Sequence, residues 1–384
     1  MRIAFVTDYD PDDVHAWSGC GLYIRKALES AGCRVSTIGN LKVPLHCKPL
    51  LKAKSLLYGR IQHKTFHFNR ERSVLRAYAE QVNRALEKID CDILFSPGTL
   101  PISYIETEKP IVFWTDATFA GLIDFYPEFA NLCSDTRASG NCAEQAALSR
   151  CRVGFYSSSW AVRTALENYD VAANKLKVVP FGANIECART PDDIRQIIAR
   201  RDRGVCKLLF AGVAWQRKGG DVAVQTAELL RQRGIKTELH IVGCTPPDPI
   251  PAGLIQHGFV SKKTDAGRRE FARLFAESHF LILPTRAECF GVVCAEAASF
   301  GLPTLTSNVG GMRTTIVEGK TGFTIPHSEG ASKYAEHIER LWSSPAAYEE
   351  MALSAFDDFT HRLNWNASGR LAAHWMQEFC AQAA

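Results

Sequence analysis

The sequence predicts an α/β protein with two doubly wound domains. Three observations carry this. Short apolar strands alternate with helix-forming stretches in both halves of the chain. Several strands run straight into glycine-containing loops. A length of 384 residues exceeds one typical core and suits two domains of about 150–200 residues.

The first strand is RIAFVT, Arg2 to Thr7. A loop with Asp8, Asp10, Asp12 and Asp13 follows, then WSGCG, Trp17 to Gly21. A helix is expected from about Leu22 to Ala31, ended by Gly32, with RVSTIG as the next strand. The glycine loop thus lies at a strand's carboxyl end, where open parallel sheets bind ligands. Later strands are DILFS (Asp92 to Ser96), IVFWTD (Ile111 to Asp116), VGFYSS (Val153 to Ser158) and LKVVPFGAN (Leu176 to Asn184).

The polar helical stretch between Pro191 and Gly204 suggests a connection between domains. A second sheet then begins with KLLFAGV (Lys207 to Val213), a helix from about Asp221 to Gly234, and ELHIVG (Glu238 to Gly243). LIQHGF and FLILP follow the proline-rich TPPDPIPAG, and a helical tail runs from about Ala346 to Ala384.

Composition narrows the function. The apolar fraction of 46% is that of a globular protein. No apolar run approaches the ~20 residues that span a bilayer, and MRIAFVTDYD lacks the features of a signal peptide. Thirteen scattered cysteines contain no C-x-x-C, so reduced thiols in a cytoplasmic protein are expected. A net charge of +4 does not by itself argue for nucleic acid.

The most informative segment is PTRAECFGVVCAEAASFGLPTLTSNVGG, Pro284 to Gly311. Glu288 sits on a loop after the strand FLILP, and Glu296 lies eight positions later inside the following helix. Gly291 falls where that helix starts, so backbone N–H groups there can receive an anionic phosphate. Upstream, FAGVAWQRKGGDVAV places Arg217 and Lys218 between the strand-ending Gly212 and a helix beginning near Asp221. Fixed cations beside a helix N-terminus suit a pyrophosphate, although a solvated basic turn gives the same pattern.

Together these segments resemble the donor-site signature of retaining glycosyltransferases of family four. That resemblance implies the GT-B architecture: two Rossmann-like domains facing each other across a cleft. It places an acceptor-binding domain at residues 1–186, a linker at 187–205 and a nucleotide-sugar domain at 206–361, with a terminal helix of about 362–384 packing back on the first domain. It implies a hexose moved from a nucleoside-diphosphate sugar to a hydroxyl acceptor, with no cofactor and no metal.

The resemblance also suggests roles. Glu296 would hold the ribose, and Glu288 would reach the sugar. The backbone of Phe290 and Gly291, flanked by Cys289 and Val292, would meet phosphate, as would Lys218 and Arg217. Val213 stands where relatives commonly carry an arginine, so Arg217 would substitute. Cys244 and Thr245 either line the base or form a plain loop. Gly19 fits the first glycine of a phosphate-approaching pair, but Cys20 replaces the second. Asp116 reads either as a helix N-cap or as a carboxylate that stabilises oxocarbenium-like charge or orients the acceptor.

From Lys42 to Arg76 the chain carries nine Lys or Arg residues and one acid, Glu71, mixed with leucines and aromatics. A solvated helical face with a buried apolar side explains this. Peripheral contact with an anionic inner membrane face, or with an acidic acceptor, is the other reading. The rival functions are another GT-B enzyme such as a sugar-nucleotide epimerase, a phosphorylase, or a non-catalytic nucleotide-sugar-binding subunit. No G-x-G-x-x-G follows the first strand, which disfavours an NAD-dependent enzyme.

Overall fold

A computed structural model describes residues 1–248, 250 and 253–381. The chain divides into two units: Met1–Pro180 with the chain from Ser368 onward, and Phe181–Ala367.

The first unit is built on a parallel sheet of β1 (Arg2–Val6), β2 (Arg34–Ile38), β3 (Ile93–Ser96), β4 (Ile111–Thr115), β5 (Cys151–Tyr156) and β6 (Leu176–Val178). Its order is β2-β1-β3-β4-β5-β6. The chain leaves β1 in one direction to form β2 and returns on the other side to form β3. The carboxyl ends of β1 and β3 therefore flank a topological switch point, the ligand-binding crevice of such sheets. Every residue of β3 and β4 is buried, because helices cover both faces of the sheet. Ala4, Val6, Leu94 and Phe113 pack with Val74 and Val82 from the helix Arg72–Leu86, and with Ala143 and Ala147 from the helix Ser134–Arg150.

The second unit repeats the plan with β7 (Cys206–Ala211), β8 (Thr237–Val242), β9 (Leu254–Gln256), β10 (Phe280–Leu283), β11 (Thr304–Ser307) and β12 (Gly322–Ile325), all parallel. The order β12-β11-β10-β7-β8-β9 puts its switch point between β7 and β10. Alternation along β7 divides the core: Leu208 and Phe210 join one cluster, and Leu209 and Ala211 the other.

Residues 187–205, expected to connect two domains, are part of the second unit. The helix Pro191–Arg200 begins with a Thr190–Asp193 capping box and buries Ile194. The Arg201 guanidinium is buried, donating to the carbonyls of Gly301, Phe300 and Ala276 at 2.9–3.1 Å and to Tyr348 Oη at 2.7 Å. Those donors tie the segment to the second core and leave no independent linker. The tail, expected to be helical with a terminal helix at about 362–384, forms two helices, Pro345–His361 and Trp365–Ala381. Asn364 makes the break, accepting the Ala367 N–H through Oδ1 at 2.9 Å. Within the first unit the last helix runs against the helix Cys20–Ser30. A Cβ added at Gly369 would lie 2.4 Å from the Ala27 carbonyl oxygen.

The described cysteines, from Cys20 to Cys294, are free thiols. Among the described residues no helix is long and apolar enough to cross a membrane.

Candidate active site

The second unit collects its charged groups at the β7–β10 switch point. β7 ends before Gly212, and the chain makes one short helical turn, Trp215–Lys218, before the helix Gly220–Gln232. Gly219 joins the two with φ +75°, and a Cβ there would sit 2.0 Å from the Pro284 carbonyl oxygen. Only glycine allows that turn to press against the end of β10.

The contact brings Lys218 onto Glu288. Lys218 Nζ donates to Glu288 Oε2, and Arg217 Nη1 lies 3.5 Å from the same oxygen. Arg217 also donates to the Ala287 carbonyl at 2.9 Å. All three side chains are about nine-tenths buried, with 14%, 11% and 10% exposure for Arg217, Lys218 and Glu288. Gly212 has a role in this: a Cβ there would come within 3.0 Å of Lys218 Cγ, so its absence leaves the lysine stem its path. Two cations around one carboxylate leave positive charge in excess in a poorly hydrated place, which favours an incoming anion.

The loop after Glu288 is held from both sides. The Gly311 N–H donates to the Glu288 carbonyl at 3.2 Å, and Thr315 Oγ1 donates to the Phe290 carbonyl at 2.5 Å. Cys289 and Phe290 are buried, and the Phe290 ring packs edge-on against Phe181 at 5.4 Å. Gly291, left-handed at φ +77°, caps the helix Val292–Ala298. Glu296 is buried in that helix and paired with Lys262 at 2.5 Å. Lys262 is a site residue that sequence reasoning missed, because it lies 34 positions away in a loop with no motif. Cys244 is half-buried and Thr245 exposed just past β8. Beside them Gly243, at φ +95°, backs onto the Gly212 carbonyl.

In the first unit, Trp17, Ser18 and Gly19 take successive positive φ values of 47°, 56° and 86° before the helix Cys20–Ser30. Two non-glycine residues in that region mark a strained turn, as found at ligand-binding sites. Gly21 is needed for a second reason: a Cβ there would overlap the Tyr9 hydroxyl. The loop aspartates are locally engaged. Asp12 pairs with Arg25, and Asp13 accepts the His15 N–H at 2.9 Å.

Asp116 lies just beyond β4, on a cavity of about 250 Å³ at the carboxyl ends of β1, β3 and β4. The helix N-cap nearest it is Thr118, whose hydroxyl accepts the Gly121 N–H at 3.0 Å, so the capping role expected as one reading of Asp116 falls to the threonine. The same cavity contains Arg70, one of the basic residues between Lys42 and Arg76. The structure buries it to 8% exposure instead of solvating it. Its guanidinium lies over the Phe119 ring at 4.1 Å. Elsewhere in that segment Lys54 pairs with Glu71 at 2.8 Å and Asp135 at 2.9 Å, while Leu45, Leu50, Leu57 and Ile61 are exposed.

Two parallel six-stranded units of this topology define the GT-B fold of glycosyltransferases. Superposition agrees. Sucrose-phosphate synthase from Thermosynechococcus elongatus matches with a TM-score of 0.69 at 15% identity, covering 99% of each chain. Anabaena HepE in complex with UDP-glucose matches with 0.63 at 15% identity, covering 98% of this chain and all of that one.

Residues 206–344 match the family Glycosyl transferases group 1. D-inositol 3-phosphate glycosyltransferase of Pseudarthrobacter chlorophenolicus is 32% identical over 202 residues, 50% of this chain and 47% of that protein. Glycogen synthase of Mycobacterium tuberculosis is 30% identical over 186 residues, 47% of this chain and 44% of that protein. The chain thus spans about half the length of the curated relatives it matches.

Proposed function

We propose that the protein is a retaining, metal-independent glycosyltransferase that moves a hexose from a nucleoside-diphosphate sugar to a hydroxyl acceptor. The observation that carries this is the buried grouping of Arg217 and Lys218 around Glu288 at the β7–β10 switch point, with Glu296 one helical segment away.

In this reading Glu296 accepts hydrogen bonds from the ribose hydroxyls, and Glu288 accepts from the sugar. The backbone at Phe290 and Gly291, between Cys289 and Val292, receives a phosphate. Cys244 and Thr245 lie beside the base, and Gly19 and Gly212 let backbone approach the donor. As the bond to the anomeric carbon breaks, negative charge grows on the leaving diphosphate. Lys218 and Arg217 are already in place to offset it, which lowers the barrier without a metal ion. The acceptor hydroxyl attacks from the face the diphosphate leaves, and that phosphate takes its proton. Asp116 orients the acceptor or stabilises oxocarbenium-like charge.

The test is calorimetric binding of UDP-, GDP- and ADP-glucose, followed by slow hydrolysis of whichever donor binds. Glu296→Ala should lose binding, and Glu288→Ala should lose hydrolysis. Nuclear magnetic resonance of the product should show a retained anomeric configuration, and chelator should leave turnover unchanged. Binding without turnover on any acceptor points to a non-catalytic subunit. Interconversion of the donor sugar points to an epimerase.

A peripheral contact with an anionic membrane is proposed at the exposed face of Leu45, Leu50, Leu57 and Ile61, beside Lys48 and Lys52. Sedimentation with liposomes should require anionic lipid and weaken in salt.

A further inference from the structure

The cavity beside Asp116 is lined by residues that carry four buried polar atoms without a hydrogen-bond partner: Arg70 Nη1, Glu144 Oε1, Ser96 Oγ and Tyr9 Oη. Arg70 and Glu144 are 8% and 2% exposed, and Ser96 is fully buried. Glu144 is held in place by Thr99, which donates to its other oxygen at 2.6 Å. Arg70 is held by the Phe119 ring beneath it. Folded proteins rarely leave several such groups unpaired in one place, so a ligand able to satisfy them together is the natural complement.

The chemistry of the set selects the ligand. Arg70 only donates, an ionised carboxylate only accepts, and the two hydroxyls do both. A ligand hydroxyl can accept from Arg70 and donate to Glu144. A phosphate can only accept, and it would bring charge beside Asp8, Asp116 and Glu144, three carboxyl groups against one guanidinium. Burial pushes the Asp8 and Glu144 carboxyls upward, because desolvation here penalises charge, and a charged ligand group would meet the same penalty. An ammonium group would meet Arg70. Trp17, Phe119 and Leu122 add apolar wall for the C–H face of a ring. The volume, about 250 Å³, lies just under the roughly 300–1,000 Å³ of drug-sized pockets and suits one ring.

We propose that this cavity is a binding site for a neutral polyhydroxylated ring, a sugar or cyclitol, read through its hydroxyls by Arg70, Glu144 and Ser96. Resting on the glycosyltransferase reading, this makes the acceptor, or the acceptor's terminal residue, an uncharged polyol and not a phosphorylated one.

The experiment measures saturable binding of myo-inositol and glucose against inositol 3-phosphate, glucose 6-phosphate and glucosamine, by ligand-observed magnetic resonance. It uses the full chain and its Arg70→Met, Glu144→Gln and Ser96→Ala variants. At least one neutral ring should bind and outcompete its charged counterpart. Its affinity should fall tenfold or more in Arg70→Met, and severalfold in Ser96→Ala, the mildest change to the fold. Nucleotide-sugar affinity, measured separately by calorimetry, should not change in these variants. Tighter binding of a phosphorylated or amino ring, no binding by either neutral ring, or equal affinity in wild type and Ser96→Ala overturns the proposal. Polyol binding without any nucleotide-sugar binding would keep the pocket and remove the transferase reading; the reverse result would remove the pocket alone.

Discussion

Lys218 and Glu288 form a buried ion pair although 70 residues separate them. The pair exists because Gly219 lets the turn after β7 touch the end of β10. Removing Lys218 leaves the Glu288 carboxylate only the longer 3.5 Å contact to Arg217 in a poorly hydrated place. Lys218→Met should therefore lower stability by about 3 kcal/mol, toward the lower end of measured values for broken buried pairs. The double variant Lys218→Met with Glu288→Gln should recover part of that loss. Thermal unfolding of the three proteins is the check, and a recovery near zero would mean the pair is not coupled.

Glu296 and Lys262 form the second pair of the site. If Glu296 binds ribose hydroxyls, its charged hydrogen bonds are worth about 1.5–3 kcal/mol each. Glu296→Gln should then weaken donor binding at least tenfold in calorimetry. Lys262 only positions the carboxylate, so Lys262→Met should weaken donor binding less, without abolishing it.

Gly219 and Gly234 offer a matched comparison. Both have positive φ, 75° and 82°, but only Gly219 has backbone within 4 Å of an added Cβ. Gly234→Ala should cost about 1 kcal/mol, the left-handed penalty alone. Gly219→Ala should cost clearly more, because the Pro284 carbonyl must move, and it should weaken donor binding as well. Equal melting temperatures for the two variants would contradict the tight turn.

His279 makes the stability pH-dependent. Its Nδ1 accepts the Lys207 N–H at 3.0 Å, and its ring packs edge-on against Trp342 at 4.9 Å. Burial and the nearby Arg201 and Arg203 depress its pKa from 6.5 to about 3. The folded state refuses a proton that the unfolded chain accepts. Its contribution is complete above about pH 6.5 and is lost as pH falls toward 3. By pH 5 the loss should be about 2 kcal/mol. His279→Asn should show a smaller fall in melting temperature between pH 7.5 and pH 5 than the wild type does.

Much of the fold is legible in the sequence because its signals are local. Buried parallel strands such as Ile111–Thr115 read as unbroken apolar runs, and glycines mark the loops at their ends. Glu288, Gly291 and Glu296 are recognisable together because one strand–loop–helix unit holds them all. Arg70 reads as one cation in a basic stretch. Its burial depends on Phe119 and Phe129, some fifty residues later, and no local pattern announces that contact. Residues 187–205 mislead for a similar reason. They look polar and helical, and only the carbonyls of Ala276, Phe300 and Gly301 show where Arg201 belongs.

The chain alone determined the alternation of strands and helices, the loops that bear the acidic and basic residues, and hence two α/β units with a glycosyltransferase motif in the second. Tertiary structure decided which charges meet: Lys218 with Glu288, Lys262 with Glu296, and Arg70 enclosed beside Glu144. Backbone conformation follows from neighbours along the chain, whereas the pairing and burial of a charge depend on groups that only folding brings near.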